Sequence, residues 1–307
     1  ATVMTALLQH VVDAVSLGSL YALTALGIGL IFGVMRLINF AHGDFIMVGA
    51  FSLVVPTTAA TSTLLIGAWP AGLLIAGVFA VVIALALATE RLAFRPVRRA
   101  DPAVLLITSF AVSFFLQNAV IAIHGGRPKS ANIWPHLMDP VVIAGVRVSQ
   151  LQLITIAVTL ILLVALVLFL KRTAIGVAMR AASEDFLTAR LLGIRANYVI
   201  ATAFAISGLL AAVVSLLYVA QTSVLSFHMG VPLVLFGFIA TVVGGMGSLV
   251  GAVVGGFVVG IGSVFFQVIL PEAWRSNRDV WVYALVLLIL LFRPSGLVKS
   301  KSIEEKV

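Results

Sequence analysis

The chain has 307 residues, of which 62% are hydrophobic and only 10% are charged. That length would suffice for two soluble domains, but so much apolar surface would be hard to keep in water, which indicates a membrane protein. The net charge of +8 does not point to nucleic acid, because the basic residues lie mostly between apolar runs, where they meet lipid head groups. The absence of cysteine from the sequence excludes disulfides and thiolate metal sites.

Apolar runs long enough to cross roughly 30 Å of hydrocarbon follow one another along the chain. The expected spans are residues 15–35, 45–60, 69–89, 103–123, 151–170, 198–220, 248–269 and 280–292. A further run, 231–243, is either a short helix packed closely on its neighbour, which we favour, or a half-helix that folds back within the protein. The prediction is an all-α polytopic membrane protein with about eight or nine transmembrane helices, in a single domain over residues 1–307.

We also predict the structure of two segments outside the spans, one before the first span and one after the third. Residues 4–14 carry Gln9, His10 and Asp13, so we predict a separate interfacial helix before the first span. The third span is expected to end at Glu90, with a basic cytoplasmic loop after it. This loop, the segment from Lys171 and the C-terminal tail hold thirteen of the 19 Lys and Arg residues, which predicts an outside N-terminus and a cytoplasmic C-terminus.

A polar break, RLINFAHGD over residues 36–44, separates the first two apolar runs. Its candidate residues are Asn39, Phe40, His42, Gly43 and Asp44. Polar groups at membrane depth usually face a cavity or one another and mark a transport path, and a broken helix exposes backbone groups that bind a zwitterionic ligand. The alternative is a cytoplasmic turn whose charged groups lie in water. A metal site is not expected, because His42 and Asp44 lack further clustered ligands.

The longest polar interruption is KRTAIGVAMRAASEDFLTARLLGIRAN, over residues 171–197. It is predicted to be helical, with Ser183 as the N-cap of a run that has Glu184 and Asp185 in its first turn, and with Gly193 as its end. A simple connection needs only about two to six residues. We therefore expect another molecule to dock on this cytoplasmic segment.

Two further patterns concern helix contacts. Small residues recur at every fourth position in the run 247–260, which lets another helix approach closely. That helix belongs either to this chain or to a second subunit, and we favour a helix of this chain. The small residues of the run include Gly247, Gly251, Gly255, Gly256 and Gly260. In the fourth run, Ser109, Ser113 and Gln117 share one face, which favours hydrogen bonds to a neighbouring helix over the lining of a pathway.

No GxxxxGK[ST] motif occurs in the sequence and no catalytic constellation stands out, so we expect neither a P-loop nor an enzyme site.

Several motifs together resemble LivH-type permeases, the membrane subunits of branched-chain amino acid ABC importers. GSLYALTALGIGLIFGVMRLINFAHGDFIMVGAF over residues 18–51 resembles their opening, and GVAMRAASEDFLTARLLGI looks like the loop by which they contact ATPases. FGFIATVVGGMGSLVGAVVGGFVVG is similar to their glycine-rich penultimate region, and LFRPSGL resembles their closing motif. The resemblance is weakest over residues 124–150. Asp44 stands where the family is expected to have glutamate.

The resemblance implies an ABC importer permease fold in the bacterial inner membrane, with no cofactor. It implies as partners a LivM-type permease in a heterodimer, two cytoplasmic ABC ATPases and a periplasmic substrate-binding protein. It places the break at residues 39–43 near the translocation route, and it makes the segment 171–197 the element that couples to the ATPase. The coupling residues would be Arg180, Glu184, Asp185, Arg190 and Gly193.

The resemblance leaves the substrate open between branched-chain amino acids and urea or short amides. Two classes of protein that need no ATPase are the alternatives to an ABC importer permease. One is a secondary transporter or channel, which leaves the polar segment 171–197 unexplained. The other is a structural scaffold, which gives the break at residues 36–44 no purpose.

Overall fold

The computed structural model describes residues 2–59, 61–143 and 145–298, and helices dominate it. In chain order the helices are α1 (Thr2–Met35), α2 (His42–Phe51), α3 (Ala71–Thr89), α4 (Arg95–Val97), α5 (Pro102–His124), α6 (Gln150–Arg172), α7 (Ala174–Glu184), α8 (Phe186–Leu191), α9 (Ala196–Thr222), α10 (Gly230–Gly244), α11 (Leu249–Ile269), α12 (Glu272–Arg275) and α13 (Arg278–Phe292). Short 3₁₀ turns lie at Ile66–Ala68 and Pro135–Met138.

Two small antiparallel sheets, which the all-α prediction did not include, accompany the helices. One pairs β1 (Lys129–Ser130) with β4 (Val224–Leu225), and the other pairs β2 (Pro140–Ile143) with β3 (Val146–Ser149). β1, β2 and β3 all lie in the connection between α5 and α6, where the family resemblance is weakest. These strands satisfy backbone groups of a connection that is too polar to be helical in lipid.

In the part of the chain that the structure describes, six helices are long and apolar enough to cross a membrane. They are Met4–Met35, Ala71–Val97, Pro102–His124, Gln150–Arg172, Ala196–Thr222 and Leu249–Ile269. Each overlaps one of the runs predicted from hydropathy almost completely, so a helical polytopic membrane protein is confirmed. α10 is a shorter apolar helix of 15 residues, as favoured for the run 231–243.

The predicted separate helix at residues 4–14 is wrong, because α1 runs without interruption from Thr2 to Met35. No Gly or Pro interrupts the junction, and two of the polar residues that suggested an interface, Gln9 and Asp13, have partners. Gln9 donates to Asp13 Oδ1 at 3.2 Å, and Gln152 of α6 donates to the same oxygen at 2.7 Å. A paired carboxylate is compatible with a continuous helix.

The run 45–60 was predicted to be a full span, and this too is wrong. α2 begins at His42 and ends at Phe51 after only 10 residues. The chain then leaves the helix: Val54 forms an isolated bridge with Leu64, and Val55 N–H donates to the Thr63 carbonyl at 2.8 Å. The break therefore leads into a half-length helix.

The basic loop predicted after Glu90 is also wrong in its first part, because the helix continues. A π-helical turn, Glu90–Phe94, follows α3 directly and passes into α4. Pro96 lies in the last three helical residues, Arg95–Val97, so its missing N–H removes one hydrogen bond only shortly before the helix ends.

The helices form two compact units. The first contains Ala1–Gly29, Trp134–Leu163 and Phe236–Val307, and the second contains Leu30–Ile133 and Val164–Leu235. In the second unit α2, α3 and α9 pack together, and Gly49 of α2 lies against both of the other helices. A Cβ atom on Gly49 would lie 2.8 Å from Ser215 Oγ and 2.9 Å from Val82 Cγ2.

In the first unit α11 contacts two helices through its small residues. Gly255 faces Ala240 of α10, whereas a Cβ on Gly256 would lie 2.5 Å from the backbone of Ala22 of α1. A Cβ on Gly260 would lie 2.3 Å from Gly18 Cα. These contacts lie within the chain. Gly247 lies instead in the turn before α11, with φ +91°.

The closing motif covers the end of α10. Leu297 N–H donates to the Val243 carbonyl at 2.8 Å, and Val298 N–H donates to the Gly244 carbonyl at 2.9 Å. These carbonyls belong to the last turn of the helix, where they lack intrahelical partners. The motif LFRPSGL therefore has a structural role here as a C-terminal cap.

Candidate functional site

The polar break begins where α1 ends. Arg36 adopts a left-handed backbone conformation, with φ +54°, while its N–H still donates to the Phe32 carbonyl at 2.8 Å. Its guanidinium lies over the Phe32 ring and donates to the Ser183 carbonyl at 3.2 Å. Arg36 therefore connects the break directly to the last residues of α7.

Asn39 and His42 lie at the start of α2, and both side chains are fully buried. Asn39 Oδ1 accepts a hydrogen bond from the Ala41 N–H at 3.1 Å, and the Asn39 carbonyl accepts one from the His42 N–H at 3.2 Å. His42 Nδ1 lies 3.0 Å from Ser207 Oγ of α9. Within the described residues, neither Asn39 Nδ2 nor His42 Nε2 has a hydrogen-bond partner.

Asp44 lies on the same turn but faces a different helix. Its side chain is 3% exposed, and Oδ1 accepts a hydrogen bond from Gln117 Nε2 of α5 at 2.9 Å. Gln117 Nε2 also lies 3.2 Å from Ser113 Oγ, one turn earlier on α5. The predicted interhelical role of this polar stripe is confirmed for Gln117, whereas Ser109 donates within its own helix to the Leu106 carbonyl.

Phe40 and Gly43 complete the candidate segment. The Phe40 ring stacks on Phe110 of α5, with 4.7 Å between centroids. Gly43 lies against the backbone of Gly230, the first residue of α10. Sequence reasoning missed Gly230 and Ser207, because neither lies in a polar cluster of its own.

The segment 171–197 forms two helices, α7 and α8, which we call the hairpin. α7 folds back on the end of α6: Thr173 Oγ1 caps it by accepting from the Gly176 N–H at 3.0 Å, and a Cβ on Gly176 would lie 2.2 Å from the Phe169 carbonyl oxygen. Arg180 Nε donates to the Leu170 carbonyl at 2.9 Å. Arg180 thus satisfies an unpaired carbonyl at the C-terminus of α6.

The predicted N-cap is wrong by two residues. Ser183 lies inside α7, where its hydroxyl donates to the Arg180 carbonyl at 2.7 Å. Asp185 is the cap of α8, and its Oδ1 accepts from the N–H groups of Leu187 at 2.9 Å and Thr188 at 3.1 Å. The error arose because Ser and Asp are about equally good caps, and the sequence does not show that a helix has already ended.

The outer surface of the hairpin is unusually apolar for a polar connection. Leu187, Leu191 and Leu192 are 68%, 80% and 78% exposed. Glu184 and Arg190 are exposed beside them. Gly193 ends the hairpin with φ +87°, as predicted for a stop signal, and a Cβ there would meet nothing within 4 Å.

A charged network that sequence reasoning missed lies where the hairpin passes into α9. Arg98 Nη1 donates to Asn197 Oδ1 at 2.7 Å, and Arg98 Nη2 pairs with Glu90 of the π-helical turn. Glu90 is only 4% exposed. Phe94 of the same turn packs on Phe204 of α9, with 5.4 Å between ring centroids. The network fixes the start of α9 against the end of α3.

The described part of the chain contains no group of three or more His, Cys, Asp or Glu residues that could hold a metal ion. The groups that could bind a ligand or a partner are the buried amide of Asn39 and imidazole of His42 in the break, the hydrogen-bonded Asp44, and the exposed leucines of the hairpin. Together with the six described helices that are long enough to span a membrane, these features define an integral membrane protein with buried polar groups in its second unit.

Comparison with known proteins gives the family. The family described as "Branched-chain amino acid transport system / permease component" matches residues 11–292. The chain is 33% identical, over 97% of each sequence, to the high-affinity branched-chain amino acid transport system permease proteins BraD of Pseudomonas aeruginosa and LivH of Escherichia coli K12. A solved structure, PsaBC from Streptococcus pneumoniae in complex with Fab, aligns with a TM-score of 0.48 and 14% identity, over 92% of this chain and 91% of that one. This chain belongs to the branched-chain amino acid permease family.

Proposed function

We propose that this chain is one half of the translocation pathway of an ATP-driven importer for branched-chain amino acids. The observation that carries the proposal is the match over nearly the whole length to the permeases BraD and LivH. In this account the chain pairs with a LivM-type permease, two cytoplasmic ABC ATPases hydrolyse ATP, and a periplasmic binding protein delivers the substrate. The chain itself catalyses no reaction.

The distribution of positive charge supports a cytoplasmic position for the hairpin and the C-terminus, with the N-terminus outside. In that arrangement the six long helices, with α10, α13 and the half-length α2, make up about eight or nine crossings or part-crossings. The chain then acts as a single permease domain over residues 1–307.

The hairpin is the element proposed to dock on an ATPase subunit. Three exposed leucines within one short segment are costly in water and suit the buried centre of a protein interface. Arg180 holds α7 to the end of α6, and Arg36 holds it to the end of α1. A displacement of the docked hairpin would therefore be transmitted directly to the break at residues 36–44.

The break is proposed to lie on the substrate route. Buried polar groups without partners are rare in membrane-spanning regions and usually belong to a ligand site or a pathway. Asn39 and His42 meet that description. Urea or a short amide is the alternative substrate for the same kind of permease.

Reconstitution of the complete importer in liposomes tests the proposal. ATP inside the liposomes together with the binding protein outside should drive uptake of L-leucine, L-isoleucine or L-valine. Replacing Asn39 or His42 by leucine should abolish uptake without preventing assembly with the ATPases. Uptake that continues without ATP would favour the alternative of a channel or secondary transporter.

A further inference from the structure

Two short helices begin against one another in the second unit. α2, of 10 residues, begins at His42, and α10, of 15 residues, begins at Gly230. A Cβ on Gly43 would lie 2.5 Å from the Gly230 carbonyl oxygen, and a Cβ on Gly230 would lie 1.9 Å from the Gly43 carbonyl oxygen. The two helix N-termini therefore meet backbone to backbone, and each brings the partial positive charge of a helix N-terminus. Most of their first N–H groups, including those of His42, Asp44 and Val231, are bonded to carbonyls of the preceding turn, so the free donors at this point must be side chains.

Asn39 supplies an independent sign of a ligand at this point. Its Oδ1 is fixed by the hydrogen bond from the Ala41 N–H, so the amide lies over the N-terminus of α2 and the orientation of its nitrogen is determined. Nδ2 is then a fully buried donor that has no acceptor among the described residues. Buried donors of this kind are ordinarily matched by an acceptor, which here would be a ligand atom.

His42 supplies a second donor on the first turn of α2. When the Ser207 hydroxyl donates to Nδ1, across the 3.0 Å contact, the proton of the neutral imidazole lies on Nε2. Nε2 is also buried and unpaired in the described structure. Asp44 does not occupy this place, because its Oδ1 is bonded to Gln117 of α5.

We propose that the meeting N-termini of α2 and α10, with Asn39 and His42, form the subsite for the carboxylate of the transported substrate. Two buried side-chain donors beside the positive ends of two helices suit a carboxylate, and discontinuous membrane helices bind substrate carboxylates in this way. The inference rests on the proposed transport function and narrows its substrate class. Amino acids carry the required group, whereas urea and simple amides do not.

The subsite is closed in this structure, since both side chains are buried. A carboxylate reaches these donors only in a stage of transport in which α2 and α10 separate at Gly43 and Gly230. Because both contact residues are glycines, the helices meet without side chains between them. A side chain at either position would hold the two N-termini apart.

Thermal unfolding of the assembled importer, without its binding protein, tests the subsite in the wild-type protein. L-Leucine, L-leucinamide and urea are added separately at up to about 100 mM, a concentration at which even a millimolar Kd gives a measurable shift in Tm. The subsite predicts a higher Tm with L-leucine and no comparable shift with the two compounds that lack a carboxylate. An equal shift with L-leucinamide, a shift with urea alone, or no shift with L-leucine would overturn it.

Substitution of Asn39 gives the second test. Asn39→Asp keeps the shape and the bond to Ala41 but replaces the free donor by a negative charge, so ATP-dependent uptake of L-leucine should fall at least about tenfold. Asn277→Asp is the matched control, because it makes the same change at an exposed turn and should leave uptake unchanged. If Asn39→Asp does not assemble, Asn39→Ala, which removes the amide donor without adding charge, takes its place.

The two tests separate failure of the subsite from failure of the function. A wild-type complex that takes up no branched-chain amino acid with ATP contradicts the proposed function itself. A wild-type complex that transports L-leucine, with an assembled Asn39 variant that transports it equally well, contradicts only the subsite.

Discussion

At the scale of single residues, burying the carboxylate of Asp44 costs free energy that neighbouring groups must offset. A carboxylate that is 3% exposed inside a helical membrane protein loses most of its hydration. Gln117 offsets part of that cost through the 2.9 Å hydrogen bond from its Nε2 atom. The pair also joins α2 to α5, so it stabilises the position of the half-length helix.

Gln117→Ala should therefore lower the free energy of unfolding by about 1–3 kcal/mol, because it leaves the Asp44 oxygen buried without this bond. Thermal unfolding of the purified protein in detergent measures the change. Asn118→Ala is the control: Asn118 is the neighbouring amide, is exposed and donates only to the Phe114 carbonyl of its own helix. Equal Tm values for the two variants would show that the bond to Asp44 contributes nothing measurable.

The sequence identified both partners of this contact but not their pairing. RLINFAHGD showed a break with a carboxylate in it, and the spacing of Ser113 and Gln117 showed a polar face on another helix. The two residues that meet are 73 positions apart. No periodicity within one helix reports such a contact, and the same holds for His42 with Ser207.

At the scale of elements, close packing of α11 on α1 depends on two glycines that face backbone. Gly256 lies against Ala22, and Gly260 lies against Gly18. The four-residue spacing in the sequence predicted a close approach of this kind, but it could not say which helix approaches. It also included Gly247, whose φ of +91° serves a turn instead.

Gly256→Ala and Gly260→Ala should each destabilise the first unit by about 1–3 kcal/mol, because the added methyl group has no space against the facing backbone. Gly72→Ala provides the contrast, since a Cβ at Gly72 of α3 meets nothing within 4 Å. Thermal unfolding should show a lower Tm for the first two variants and little change for the third. Three indistinguishable Tm values would mean that α11 does not pack in the way described.

The π-helical turn after α3 is an element that no sequence rule anticipated. The basic residues from Arg91 to Arg99 suggested a loop, and the sequence gives no sign that Arg98 reaches back to the buried Glu90. Helix continuation here depends on tertiary contacts, namely this ion pair and the packing of Phe94 on Phe204. Local propensity cannot show contacts of that kind.

A double-mutant cycle on Glu90 and Arg98 tests this element. Glu90→Gln alone should cost about 3 kcal/mol, at the low end of the range for a broken buried pair, because Arg98 is partly exposed. Adding Arg98→Gln should cost less than the sum of the two single changes, since it removes the charge left unpaired. Strict additivity of the unfolding free energies would indicate that the ion pair is not formed.

At the scale of the whole molecule, the family and the helical architecture were evident from the sequence, because hydropathy and motif order do not depend on distant contacts. The resemblance to LivH-type permeases is confirmed by the family match. The hairpin was predicted as one docking helix, and the structure gives two helices with an exposed leucine surface. That surface carries the proposed link to the ATPase.

Leu191→Glu should reduce ATP-dependent uptake by about tenfold or more, because docking would bury a carboxylate without a partner in place of an apolar side chain. The protein should still insert and remain folded, since Leu191 is 80% exposed. Val142→Glu is the control, because Val142 is also a highly exposed apolar residue, at 65%, but lies in the β2–β3 sheet outside the hairpin, and uptake by this variant should stay at the wild-type level. Transport and ATPase assays on reconstituted importer measure both variants, and wild-type uptake by Leu191→Glu would contradict docking at this surface.

The central claim, that the hairpin is cytoplasmic and bound by an ATPase, has a direct chemical test because the sequence contains no cysteine. Leu191→Cys gives one thiol at the exposed surface of the hairpin, which a membrane-impermeant maleimide labels from one side only. The account predicts labelling in inside-out vesicles that lack the ATPase, protection when the ATPase is bound, and no labelling in right-side-out vesicles. Labelling from the outside, or equal labelling with and without the bound ATPase, would contradict it.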